Sequence, residues 1–178
     1  MKRAFFFDRD GIINEVVMRG EKVGNPRILS ELVIRDGIAS LLEASHSHGF
    51  LNIVITNQPD ISRGDMALNN LEEMHSHILT TLPLHDIRYC PHGSDNECEC
   101  RKPKAGMLLT ASEEFDIDLS SSLLIGDSWK DIGAGKAAGC LTIYLKTSYN
   151  SDIQDADHIV TSLNDVIPIL KTYAEEHQ

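Results

Sequence analysis

The apolar run Ala4-Phe5-Phe6-Phe7 ends directly on Asp8-Arg9-Asp10-Gly11. It reads as a buried strand that delivers two carboxylates, one residue apart, to the mouth of a sheet. Side chains alternate faces along a strand, so Asp8 and Asp10 point the same way if the chain stays extended. Gly11 then permits a sharp turn. Paired carboxylates at a strand's C-terminal end suit a hard cation such as magnesium. They equally suit a nucleophile with a general acid/base beside it.

Beyond this strand the chain alternates strands with helices. Strands are expected at residues 3–8, 51–56, 85–90, 122–127 and 141–145, with a short one at 158–160. Apolar periodicity predicts helices at 36–48, 65–82, 105–116 and 129–139. A last helix is expected from 162 to 176, opened by Ser162-Leu163-Asn164-Asp165 at capping-box spacing with Asp in place of Glu. Residues 9–34 are a long connection without strong periodicity, of a length often given to function. The alternation predicts an α/β fold, a three-layer, Rossmann-like parallel sheet with helices on both faces. Residues 1–178 are expected to form one domain without a large cap, leaving the site open.

The formal net charge of -11 disfavours a protein whose main work is gripping nucleic acid. A local basic pocket would still serve a small phosphorylated substrate. No apolar stretch approaches the roughly 20 residues that span a bilayer. Lys2 and Arg3 precede only a four-residue apolar run, so no signal peptide is expected there. The expected location is the cytoplasm, where four cysteines are reduced or metal-bound rather than disulfide-bonded.

Other strands also end in polar chemistry. The second ends in Thr56-Asn57-Gln58, and the fourth in Gly126-Asp127 with Asp131 one helical turn on. Between the third and fourth lies Arg101-Lys102-Pro103-Lys104. In a parallel sheet such ends share one edge, where ligands bind. Asp8, Asp10 and Asp127 crowded there repel unless a divalent cation with oxygen ligands neutralises them. Thr56 offers a hydroxyl, and the backbone N–H groups after it suit phosphate oxygens. Lys102 adds positive charge. Together these describe phosphoryl transfer, which is largely positioning and charge stabilisation.

Cys90-Pro91-His92 and Cys98-Glu99-Cys100 place three thiols and an imidazole within eleven residues. Sulfur with imidazole suits tetrahedral zinc, and four protein ligands leave no open position. A structural zinc folding the loop 90–104 is therefore expected; a reduced, unmetallated cluster or a disulfide is the alternative. Cys140 reads as a small buried hydrophobe.

The segments FFFDRDG, VITNQ, RKPK and LIGDSWKD, in that order over most of the chain, resemble the haloacid dehalogenase superfamily of phosphatases. The resemblance implies Asp8 as nucleophile and Asp10 as general acid/base, with the Asp10 backbone carbonyl also on magnesium. It implies Thr56 and Asn57 on the phosphoryl oxygens, Lys102 neutralising nucleophile and phosphate, and Asp127 on magnesium with Asp131 supporting it from behind. The loop CPHGSDNECECRKPK resembles the zinc-containing branch, which holds heptose 1,7-bisphosphate 7-phosphatases and histidinol-phosphate phosphatases. Zinc there would stiffen the loop and aim Arg101 and Lys102 at substrate.

DRDGIINE with Asn14, TNQPDISRG, and Gly106-Met107 after the lysine lean toward the heptose branch. That branch implies a small phosphorylated sugar as partner, a place in lipopolysaccharide heptose supply, and Asn14, Asn57, Gln58, Arg101 and Ser128 as substrate-binding residues. The alternatives are histidinol phosphate, a 3′-polynucleotide end, or a non-enzymatic metabolite-binding module. The chain departs from the branch at Pro59-Asp60, where a donor is lost and a negative charge is expected near the phosphate site, and at Ser128, where lysine is usual. His46, His48, His75 and His77 are expected on solvated helix faces, Asp116 and Asp118 in turns, and Trp129 in packing or, from its place beside the active edge, on substrate.

Overall fold

The computed structural model describes residues 1–150 and 155–177. Its strands are β1 (Arg3–Phe7), β2 (Val17–Arg19), β3 (Lys22–Gly24), β4 (Phe50–Asn57), β5 (Asp86–Cys90), β6 (Leu123–Gly126), β7 (Leu141–Leu145) and β8 (His158–Val160). Its helices are α1 (Ile38–Ser47), α2 (Asp60–Arg63), α3 (Leu68–Thr81), α4 (Gly106–Phe115), α5 (Trp129–Ala138) and α6 (Val166–Glu176).

Among the described residues the main sheet has six strands in the order β5-β4-β1-β6-β7-β8, all parallel. The apolar run of β1 lies at its middle because both faces of that strand are covered. Phe5 and Phe7 enter a core with Ile38 and Leu42 of α1 and Val166 and Leu170 of α6. Ala4 and Phe6 enter the opposite core with Met107 and Leu108 of α4 and Ala134 of α5. A period of two along one strand thus sorts side chains into two layers. This is the expected three-layer α/β fold. From β1 the chain passes to β4 and β5 on one side and to β6 and β7 on the other. The crevice at the carboxyl ends of β1, β4 and β6 is therefore a topological switch point, where such sheets bind ligands.

Three expectations change. The long connection 9–34 contains the antiparallel hairpin β2–β3. Three-residue strands carry too little periodicity to be read from sequence. Gly20 turns the chain at φ 66°, and the Arg19 guanidinium pins the hairpin to Glu31 (2.7 Å) and to the Asn25 carbonyl (2.8 Å). The last helix starts at Val166 rather than Ser162, after a 3₁₀ turn over Leu163–Asp165 in which Ser162 Oγ accepts from the Asn164 N–H (3.0 Å). The second expected helix starts at Leu68, although Met66 is still buried beside Leu71 and Met74. No cap interrupts these described elements; the hairpin and a 3₁₀ turn over Leu29–Glu31 stand between β1 and α1.

Candidate active site

Asp8 follows the last residue of β1 and keeps its backbone in the sheet, donating its N–H to the Ile125 carbonyl (3.0 Å). Its Oδ1 accepts from the Arg9 N–H (2.8 Å) and from Lys102 Nζ (2.7 Å). Lys102 is buried, and its Nζ also reaches Asp131 Oδ1 (2.6 Å) and the Ile55 carbonyl (2.9 Å). A two-way amide clasp holds this lysine to β4: Asn57 Nδ2 donates to the Lys102 carbonyl (3.0 Å) and Asn57 Oδ1 accepts from the Lys102 N–H (3.0 Å). Burial works against the ammonium charge, but Asp131 and then Asp8 more than offset it and raise its pKa. Burial, then the charge of Asp131, pushes the Asp8 carboxyl well above the usual carboxylate range.

Asp10 is held in every direction. Its Oδ1 accepts from Arg9 Nε (3.1 Å), Arg9 Nη2 (2.9 Å) and Asn14 Nδ2 (3.0 Å). Its Oδ2 accepts from Gln58 Nε2 (2.8 Å), which also donates to Thr56 Oγ1 (2.9 Å). Asn14 and Gln58 were expected to bind substrate. Both are buried outside the cavity lining, and both donate to the Asp10 carboxylate. Arg9 is wholly buried, and its Nη1 lies 3.2 Å from His75 Nε2. His75 is therefore not on a solvated face: it is 8 % exposed, and burial followed by the Arg9 charge lowers its pKa to about 3. Its neutral ring closes the shell behind Asp10. His46 and His77 are exposed, as expected.

Asp127 follows β6. Its Oδ2 accepts from the Tyr149 hydroxyl (2.8 Å), and its carbonyl accepts from Asn150 Nδ2 (3.0 Å). Burial, then Asp131, pushes its carboxyl up to about 6. Gly11 makes this approach feasible: it has φ 93°, and a Cβ there would sit 2.1 Å from Asp127 Oδ2 and 2.7 Å from the Tyr149 hydroxyl. Ser128 caps α5, its N–H and hydroxyl both donating to Asp131 Oδ2 (3.0 and 2.6 Å). Carboxylate oxygens of Asp8, Asp127 and Asp131 lie within 4.8 Å of one another. Hard oxygen donors this crowded, with the Asp8 and Asp127 pKa values raised, fit a divalent cation.

These groups share one cavity of about 390 Å³, also bounded by Thr56, Asn57, Arg101 and Lys130. Arg101 donates to the His92 carbonyl (2.8 Å), tying the sulfur-rich loop to the cavity rim. Asp60 does not bring free negative charge there. It is paired with Arg27 Nε (2.7 Å) and Arg63 Nη1 (3.5 Å), and Pro59 rather than Asp60 lines the cavity. Trp129 is not packed away; it is 58 % exposed at the cavity mouth. His75, Tyr149 and Asn150 carry no sequence signal for these roles, because they belong to no spacing pattern and act through contacts 22 to 66 residues distant; Arg9 lies inside the first motif, but its inward turn to His75 is equally unmarked.

Sulfur and imidazole converge at the second cluster. Cys90 Sγ is 3.8 Å from Cys98 Sγ, and His92 Nδ1 is 3.4 Å from both Cys90 Sγ and Cys100 Sγ. Tetrahedral angles with Zn–S of about 2.3 Å and Zn–N of about 2.0–2.1 Å require roughly 3.8 Å between sulfurs and about 3.5 Å between sulfur and nitrogen. The four donor atoms all lie within 4.8 Å of one another, so the set fits zinc.

Carboxylates, a buried lysine and a threonine hydroxyl at the carboxyl edge of a doubly wound parallel sheet define a haloacid dehalogenase-like hydrolase. Residues 99–166 match the family profile described as HAD-hydrolase-like. The D-glycero-alpha-D-manno-heptose-1,7-bisphosphate 7-phosphatase of Burkholderia mallei is 36% identical over 94% of this chain and 93% of its own. The corresponding beta enzyme of Pasteurella multocida is 32% identical over 96% and 98%. The crystal structure of the D,D-heptose 1,7-bisphosphate phosphatase from B. bronchiseptica, complexed with magnesium and phosphate, has the same fold (TM-score 0.79, 23% identity, 96% of this chain and 98% of that one). The chain belongs to the family of heptose-1,7-bisphosphate 7-phosphatases and is a phosphoric monoester hydrolase.

Proposed function

We propose that the chain removes the C7 phosphate from D-glycero-D-manno-heptose 1,7-bisphosphate, leaving heptose 1-phosphate, through an aspartyl-phosphate on Asp8. The observation that carries this reading is the Lys102 ammonium bridging Asp8 and Asp131 at the switch point of the sheet, in a chain whose full-length relatives bear that activity in their names. Lys102 occupies Asp8 Oδ1, and among the described residues no hydrogen bond reaches Oδ2. Oδ2 is thus the atom placed to attack phosphorus. Asp10 gives a proton to the departing C7 oxygen as the P–O bond breaks. It then takes a proton from the water that attacks phosphorus, which frees inorganic phosphate and restores both carboxyl groups. The Thr56 hydroxyl and the Asn57 backbone N–H receive the phosphoryl oxygens at the end of β4, since the Asn57 side-chain amide is engaged by Lys102.

Asp8, Asp127 and the Asp10 backbone carbonyl, with Asp131 behind them, are the groups that would hold magnesium. Bound there, the ion neutralises the clustered carboxylates and polarises the phosphoryl oxygens. Cys90, His92, Cys98 and Cys100 would hold zinc as a structural ion, leaving Arg101 and Lys102 on a stiffened loop. Thiols kept free for a metal fit the cytoplasm. No helix among the described residues is long and apolar enough to cross a membrane.

A phosphate-release assay tests the substrate. Both anomers of heptose 1,7-bisphosphate, histidinol phosphate and a 3′-phosphorylated oligonucleotide are compared with magnesium present. Fastest release from a heptose bisphosphate is expected, and activity confined to histidinol phosphate rejects the choice. Metal analysis of protein prepared without added metal tests the zinc. A zinc-to-chain ratio near unity is expected, falling in Cys100→Ser together with a melting point at least about 5 °C lower. Wild-type protein free of zinc removes that assignment.

A further inference from the structure

Tryptophan carries a large apolar surface and ordinarily buries most of it. Trp129 instead leaves 58 % exposed, and it does so at the mouth of the catalytic cavity. Trp129 has an anchored backbone. It is the first residue of α5, fixed by the Ser128–Asp131 cap and only two residues past Asp127. Lys130 Nζ lies 5.9 Å from the ring centroid, a contact that leaves the ring uncovered. The same mouth is lined by Val16 and Val23 next to and on the β2–β3 hairpin, and Val23 is itself 42 % exposed. Asn25 lies just past the hairpin and adds an amide to this rim. The floor of the cavity, with Asp8 and Lys102, is where a phosphoryl group belongs. The rim has different chemistry: an aromatic plate, aliphatic side chains, a few hydrogen-bonding groups and the cations of Arg101 and Lys130.

A sugar ring has the complementary chemistry, with C–H faces that pack on an indole and hydroxyl edges that bond to amides. We propose that Trp129 is a specificity-determining residue, packing against the sugar of the phosphorylated substrate while its phosphate sits at Asp8. This rests on the phosphorylated-sugar reading of the site and adds what selects the body of the substrate. An exposed ring gives that selection without a cap domain, because the apolar area removed from water grows only when a ring-bearing substrate is present.

Trp129 is the single tryptophan of the chain, so intrinsic fluorescence reports on it alone. In an Asp8→Asn variant, which binds without turnover, heptose 1,7-bisphosphate is expected to shift the indole emission and inorganic phosphate to leave it in place. No shift at bisphosphate concentrations that saturate binding by calorimetry overturns the proposal. The kinetic arm compares kcat/KM for heptose 1,7-bisphosphate with kcat/KM for acetyl phosphate, which has no ring. Trp129→Ala should lower that ratio about tenfold, mainly through KM for the sugar, and Trp129→Phe should restore most of it. An equal loss on both substrates, or no loss on either, assigns Trp129 to structure and overturns the proposal. Wild-type protein that hydrolyses acetyl phosphate but neither heptose anomer overturns the substrate reading itself, and the sugar plate with it.

Discussion

Replacing Asp8 by asparagine is expected to lower phosphate release by at least about 10⁴-fold, the scale at which loss of a nucleophile is felt when it works as part of a unit. The amide keeps the size and the Lys102 contact of the carboxylate but cannot form the acyl phosphate. The fold should not suffer. Asp8 has its pKa raised by burial first and by Asp131 next, which means that the folded chain disfavours its charge. A neutral isostere relieves that repulsion, and Lys102 keeps Asp131 as a full counter-charge. The melting temperature by circular dichroism should therefore match or exceed the wild-type value without added magnesium. Turnover near the wild-type rate would remove Asp8 as nucleophile, and a large fall in melting temperature would remove the account of its charge.

Lys102→Met should be damaging in both respects. The ammonium lies 2.7 Å from Asp8 and 2.6 Å from Asp131, and it also takes the Ile55 carbonyl. Without it two carboxylates face each other inside the protein with no cation. Breaking a buried pair from one side costs about 3–5 kcal/mol. At about 2–4 °C per kcal/mol for a chain of this size, melting should fall by roughly 6–20 °C. Phosphate release should be lost as well, because the phosphoryl group would approach unneutralised charge. Adding Asp131→Asn to Lys102→Met should recover much of the stability and none of the activity. That split separates the structural use of the lysine from its proposed use on phosphate. A single variant that melts within about 2 °C of wild type would show that the pair contributes little.

The two measurements probe groups of unequal legibility. Asp8, Thr56, Lys102, Asp127 and Asp131 stand out in the sequence because each sits where an apolar segment or a loop of distinct composition ends. The structure brings all five to one cavity. Asn14 and Gln58 also belong to recognisable motifs, yet their side chains turn inward to Asp10. A motif names residue type and order, whereas the direction of an amide depends on which acceptor lies nearest after folding. Asp60 illustrates the same limit for charge. Beside Pro59 it reads as a negative group near phosphate, but Arg27, 33 residues earlier, neutralises it. His75 lies next to Met74 on α3, and no helical period tells a stripe's edge from the solvent when a buried arginine waits to receive the imidazole.

The order of strands and helices, the two-sided burial of the central strand and the chemistry delivered to each strand end are all written in the chain. They arise from local periodicity and residue type, which act over a few neighbouring residues. Three-dimensional packing alone settles which cation neutralises which carboxylate, which amides orient Asp10, and that Trp129 stands in the open at the cavity mouth. Those outcomes depend on distances between segments tens of residues apart, and such distances exist only once the two cores on either side of β1 have packed. The opening pair of aspartates shows the division: Asp10 meets Arg9, its neighbour in the chain, whereas Asp8 meets Lys102, 94 residues on, a counter-charge that only the fold supplies.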